Sequence, residues 1–210
     1  VSGLSHERWS QLWLAATHQA APAGLYDRLL ALYAEPHRHY HNQRHIADCL
    51  VEFDGAAHLV TDPTAVEVAI WFHDAIYDTR APNNEERSAE LAVDWLKPVG
   101  AGEGLLNSVR QLVLATKAHD GTLHPDAPLL VDVDLSILGQ PPERFWEYEQ
   151  QIRAEYAWVE PAFFTAKRAE ILERFLARPR LYASDYFYER YENQARVNLQ
   201  ASVQQLRPAP

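Results

Sequence analysis

The chain's 210 residues carry 19 basic against 29 acidic side chains, a formal net charge of −10. That balance excludes a broad nucleic-acid-binding surface, which needs clustered Lys and Arg, while leaving room for a small phosphorylated ligand whose charge one divalent cation and a few arginines can meet. With 47% apolar and 23% charged residues, the chain fits one globular domain with a real core.

The elements, taken in order, read almost wholly as helix. Ser5 caps a first helix reaching residue 19, with Trp9, Leu12 and Trp13 as an apolar stripe. Ala21-Pro22-Ala23-Gly24 breaks it. A second helix over 25–35 turns Leu25, Leu29, Leu32 and Tyr33 inward until Pro36 stops it. Both are expected to be packing scaffold. A third helix over 41–60 buries Ile46, Cys49, Leu50 and Phe53, and His41 and His45 share a face near its first turn. Cys49, the single cysteine, forbids an intramolecular disulfide and is expected to be a small core residue.

Asp62-Pro63 supplies an acidic cap followed by proline at the first helical position. The helix it starts is expected to run to Tyr77. It contains Ala69-Ile70-Trp71-Phe72-His73-Asp74-Ala75-Ile76-Tyr77-Asp78, an adjacent His-Asp pair inside an apolar, aromatic run. Such groups are costly there unless paired or bound to a metal. Neighbouring helical residues diverge by about 100°, yet both can flank one ion off the helix side.

Residues 79–82 form a loop, and Asn83 or Asn84 caps a helix to residue 97 whose Glu85 and Glu86 suit the dipole or overhang a site. The next helix, 105–117, ends in Thr116-Lys117-Ala118-His119-Asp120-Gly121. Lys117 and His119 suit either the helix C-terminus or a phosphate at the loop. This stretch is too short for a membrane span and carries Arg110. With no charged-then-apolar leader at the start, the expected compartment is cytoplasmic.

Residues 129–139 alternate like a strand, but no second strand is available to pair with, so a short helix entry is expected. Asp132 and Asp134 beside Leu129, Leu130 and Val131 argue for a cation nearby. From Pro141 the chain is helical again. Pro161 lies near a break, Pro179 closes a stretch, and a last helix over 184–206 precedes the tail 207–210. Arg153, Arg168 and Arg196 are candidates for gripping phosphate, against the ordinary fate of surface charge. No repeat or linker divides the chain. The expected fold is all-α, a single-domain helical bundle over 1–210, with 25–140 carrying the site and 141–206 completing the bundle.

A histidine of the His41/His45 pair, then His73-Asp74, then an aspartate of the Asp132/Asp134 pair make a donor set that oxygen-preferring, imidazole-tolerant divalent metals accept. In this order and helical context they resemble the HD superfamily of metal-dependent phosphohydrolases. The likeness extends to Tyr40-His41-Asn42-x-x-His45-Ile46, Phe72-His73-Asp74-Ala75-Ile76-Tyr77-Asp78, Asn84-Glu85-x-x-Ser88-Ala89, Ala115-Thr116-x-x-His119 and Asp132-x-Asp134-Leu135-x-Ile137-Leu138-Gly139. With Arg153-x-Glu155-Tyr156 and Ala195-Arg196-x-Asn198-Leu199 it spans positions 25–205 and looks like the small bacterial branch of predicted phosphohydrolases. The 210 residues contain neither the Gly-Tyr-Pro signature of the superfamily's cyclic-dinucleotide phosphodiesterases nor a synthetase domain of the stringent-response type, so neither of those functions is expected.

The resemblance implies an HD-type bundle, with His45, His73, Asp74 and Asp134 as metal ligands. Asp134 is preferred to Asp132 because the family's last ligand directly precedes a helix start, here Leu135. Asp132 then stands behind the ligands or caps a helix. The implied cofactor is a divalent ion (Mn, Co, Ni, Fe or Mg), the histidines weighing against Mg alone. The implied reaction is hydrolysis of a small phosphorylated molecule, a nucleotide by preference, by metal-activated water. On this reading Asp78, one turn beyond Asp74, is the general base, and Lys117 and His119 neutralise or protonate the departing group. His41, Arg153 and Arg196 would bind substrate. The expected partners are that small molecule and, as an oligomer, a homodimer, with no nucleic-acid polymer and no membrane. The rival readings are a nucleotide or metabolite sensor with a structural metal, and a di-iron oxygenase of the same scaffold using His119 and His124.

Overall fold

The computed structural model describes residues 3–119 and 121–207. Among them the fold is all-helical, with 71% helix, ten α-helices and no strand. The helices are α1 (His6–Thr17), α2 (Leu25–Leu32), α3 (Gln43–Ala56), α4 (Pro63–Phe72), α5 (Asn84–Leu96), α6 (Glu103–Ala118), α7 (Ala127–Asp134), α8 (Pro142–Glu155), α9 (Pro161–Leu176) and α10 (Asp185–Leu206). Short 3₁₀ turns follow α3, α5 and α7. The strand-like alternation around Asp132 and Asp134 is resolved as helix followed by the 3₁₀ segment Leu135–Gly139. Of the expected tail, 208–210 lie outside the described residues, as does Asp120 of the loop after α6. No helix among the described residues is long and apolar enough to cross a membrane.

The chain divides into two compact units, Val1–Val133 and Asp134–Pro210. In the first, α4 is the central element. Every residue from Ala65 to Phe72 is buried except Glu67, the all-round apolar character of a helix enclosed by others. It packs against α1, α3, α5 and α6. Asp62 caps it by accepting from the Ala65 amide at 3.0 Å. Asp126 accepts in turn from the Thr61 amide (2.8 Å), the Thr61 hydroxyl (2.8 Å) and the Asp62 amide (2.9 Å), fixing where the helix begins. Glu67, its one acidic residue, pairs with Arg8 Nε at 2.7 Å, and Arg8 also holds Asp54 of α3. Trp9 stands edge-on to Trp71 with ring centroids 5.2 Å apart.

α4 ends at Phe72, five residues before the expected Tyr77, although no glycine or proline stops it. The last helical bond is His73 N–H to Ala69 O at 2.8 Å. Beyond it, side chains take the groups that a further turn would use. Ile70 O accepts from the His73 ring (2.8 Å) and Trp71 O from the Tyr33 hydroxyl (3.0 Å). Ala75 N–H tightens onto Phe72 O (2.9 Å), and Ile76 N–H goes to Ser88 Oγ (3.0 Å). Tertiary capping, rather than a breaker residue, terminates the helix. α3 also starts later than expected. Asn42 is its cap, accepting from the Arg44 amide at 2.8 Å, so His41 precedes the helix instead of sharing its first turn.

In the second unit, α10 packs against α9 and the 3₁₀ segment. Glu192 accepts from the Leu181 amide (2.9 Å) and from Arg196 Nε (2.7 Å). Asn198 Nδ2 donates to Leu138 O (2.8 Å) and Gln140 O (2.9 Å). Arg168 is buried against Glu149 and the Tyr148 hydroxyl.

Candidate metal centre

α3 contributes His45 from its first turn, and the end of α4 contributes His73 and Asp74. His45 and His73 are each 2% exposed. The Nε2 atoms of the two rings lie 3.0 Å apart, and Asp74 Oδ2 stands 3.1 Å from His73 Nε2 and 3.4 Å from His45 Nε2. Three donor atoms from two helices thus converge on one point.

The convergence has the dimensions of a metal site. Donors about 2.1 Å from one ion stand roughly 3.0 Å apart at right angles and roughly 3.4 Å apart at the tetrahedral angle. The second ring nitrogen of His73 reinforces this. Nδ1 lies 2.8 Å from Ile70 O, which can only accept, so Nδ1 carries the proton and Nε2 keeps its lone pair. Burial alone would raise the Asp74 carboxyl. The surrounding His73, His41 and His45 side chains outweigh it and hold that carboxyl well below the usual range. The set is therefore two imidazoles and an ionised carboxylate, which could hold a divalent transition metal.

The ring of His41 lies 5.7 Å from that of His45 and stacks on Tyr77 at 4.2 Å. Asp134 is half-buried as the last residue of α7, where the second unit begins, and its part in the ligand set stays with the sequence motif. Asp132 is buried within α7. Asp78 does not share a helical face with Asp74, contrary to expectation, because the helix ends at Phe72. Asp78 is exposed in the following loop, and its carboxylate accepts from the Arg80 amide at 2.9 Å.

Lys117 donates to Pro82 O at 2.8 Å and pairs with Glu86, tying α6 to the loop before α5. Its charge is met by a carboxylate, the outcome that the acidic first turn of α5 invited. His119 terminates α6 in the left-handed region (φ 48°), its amide donating to Ala115 O and Thr116 O. His124 Nδ1 accepts from the Asp126 amide at 3.1 Å, a local turn contact. Arg153 donates to Tyr156 O (2.7 Å) and Val159 O (3.2 Å) at the end of α8. Arg196 donates to Leu176 O (3.1 Å), Arg178 O (2.8 Å) and Pro179 O (3.1 Å) beyond α9. Both guanidiniums thus serve backbone carbonyls at helix ends.

Some residues near the cluster were missed from the sequence. Cys49 Sγ lies 3.8 Å from His45 Nδ1, a contact foreshadowed by their four-residue spacing. His37 donates to Tyr77 O at 2.9 Å, and Asn84 grips both the amide and the carbonyl of Asp78. No family model, curated protein or solved structure matches this chain.

Proposed function

We propose that the chain is a metal-dependent phosphohydrolase of the HD type, acting on a small phosphorylated molecule, with a nucleotide as the preferred class. The observation that carries this reading is the meeting of His45 Nε2, His73 Nε2 and Asp74 Oδ2 within 3.4 Å of one another. The order of the His, His-Asp and Asp segments supports it, and that order supplies Asp134 as the fourth ligand. A divalent ion held there would polarise a phosphoryl oxygen and make hydroxide available near neutral pH.

The chain's own residues do the rest. Ile70 O fixes the His73 ring so that Nε2 faces the cluster. Asp74 stays ionised and offsets cationic charge at the centre. The stacked pair His41–Tyr77 borders His45 and offers an aromatic surface beside it for a base or sugar. His119 is retained as the group that protonates the leaving oxygen. Lys117 reaches a phosphate only by leaving Glu86, so its contribution is conditional on that ion pair opening.

The test is hydrolysis of a panel of nucleotides and phosphomonoesters by protein loaded with Mn or Co. Release of phosphate or pyrophosphate that disappears in His73→Ala and Asp74→Ala is the expected result. No release from any member of the panel contradicts the assignment. Tight nucleotide binding without turnover would instead favour a sensor.

A further inference from the structure

The side chain of Arg38 is fully buried, and its neighbours are mostly main-chain oxygens. Nη1 donates to Asp74 O at 2.5 Å and to His41 O at 3.2 Å, and Nη2 donates to Ala75 O at 2.9 Å. Nε donates to Glu35 Oε2 at 3.0 Å. The guanidinium lies over the rings of Tyr33 and Tyr77, at 5.1 and 5.5 Å from their centroids. One nitrogen thus spans the backbone just before α3, which carries His45, and the turn after α4, which carries His73 and Asp74.

We infer that Arg38 is a positioning residue of the metal centre, a guanidinium clamp that sets the His73–Asp74 turn against the start of α3. The inference rests on reading the cluster as a metal site, and it goes beyond that reading by giving a role to a residue outside the donor set. α4 ends without a sequence breaker, so the carbonyls of Asp74 and Ala75 have no following helical turn to serve them. A planar fork with five N–H groups reaches several divergent carbonyls while its Nε faces Glu35. An ammonium group has three donors on a flexible stem and no fork. Burying a guanidinium is costly without such partners. Once in place, those partners allow the turn little freedom, and displacing it by even a fraction of an ångström would spoil the approach of Asp74 Oδ2 to the two Nε2 atoms.

The test compares Arg38→Lys with Arg168→Lys, which cuts the other buried arginine fork, in the second unit. Two readouts are taken on each folded protein: the imidazole ¹⁵N–¹H correlations of His45 and His73 without metal, and Co(II) affinity with its visible spectrum. Arg38→Lys is expected to shift the His45 and His73 resonances and to weaken Co(II) roughly tenfold to a hundredfold with an altered spectrum. Arg168→Lys is expected to lower thermal stability while leaving both readouts at wild-type values. Wild-type resonances and Co(II) affinity in folded Arg38→Lys overturn the proposal, as do equal changes in the two variants. Should Arg38→Lys fail to fold, Arg38→Gln, whose neutral two-donor amide is cheaper to bury, is read by the same criteria. If wild-type protein takes up no Co(II), the metal reading fails by itself. The histidine resonances then decide: displaced in the Arg38 variant alone, they keep the clamp, and unmoved, they refute it.

Discussion

The hydroxyl of Tyr33 donates to the main-chain oxygen of Trp71 at 3.0 Å, joining the end of α2 to the last turn of α4 deep in the first unit. Trp71 is two residues from His73, so this bond helps to decide where the central helix stops. Tyr33→Phe leaves that oxygen without its donor and is expected to cost about 1–2 kcal/mol in chemical denaturation. Burial pushes the Tyr33 hydroxyl well above its ordinary value, with Asp74 adding to the rise. A group raised in the folded state stabilises fully below its unfolded pKa, here about 10, and loses that contribution as pH climbs toward the folded value. Wild-type stability should therefore fall more steeply above about pH 10 than that of Tyr33→Phe. Parallel curves for the two proteins would refute this assignment.

Asp126 works from the opposite end of the same helix. Its carboxylate is buried, which by itself would raise its pKa, but the Thr61 and Asp62 amides and the Thr61 hydroxyl overcome that and hold it below the usual range. A depressed carboxyl stabilises above its unfolded pKa of about 4, and the contribution disappears as pH falls through the lower, folded value. Asp126→Ala is expected to lose about 2–3 kcal/mol near neutral pH, with the gap to wild type narrowing under acid conditions. Denaturant titrations at several pH values measure both effects. A gap that does not change with pH would mean that packing, not the charge, carries the cost.

Gly139 closes the 3₁₀ segment against α10. A Cβ there would lie 2.5 Å from Tyr191 Cβ and 2.9 Å from Tyr191 O, too close for either atom to yield cheaply. Gly139→Ala is expected to destabilise by about 1–3 kcal/mol, seen as a lower melting temperature. Unchanged melting would show that the segment moves aside freely.

The all-helical class was readable because the apolar periodicity of most segments admits no competing strand, and caps such as Ser5 and Asp62 act locally. The His73–Asp74 pair was readable as costly residues in an apolar run, whereas His45 was singled out from His41 only by the family resemblance. The end of α4 was not readable. Its stop is imposed by Tyr33, Arg38 and Ser88, which are distant in sequence and whose donors no local pattern assigns to those backbone groups. The same blindness misplaced Asp78, whose proposed role relied on helical spacing that the turn abolishes. The carbonyls that Arg153 and Arg196 serve at helix ends were not readable either, because an arginine's charge is visible in sequence and its distant backbone partners are not.

The most direct measurement is the metal content of purified protein incubated with Mn or Co and then dialysed, for wild type, His45→Ala and His73→Ala, each shown to be folded by circular dichroism. Bound divalent ion in the wild type and its loss from both variants is the predicted result. A wild type that retains none, or variants that retain as much as the wild type, would contradict the claim that these imidazoles and Asp74 form a metal centre.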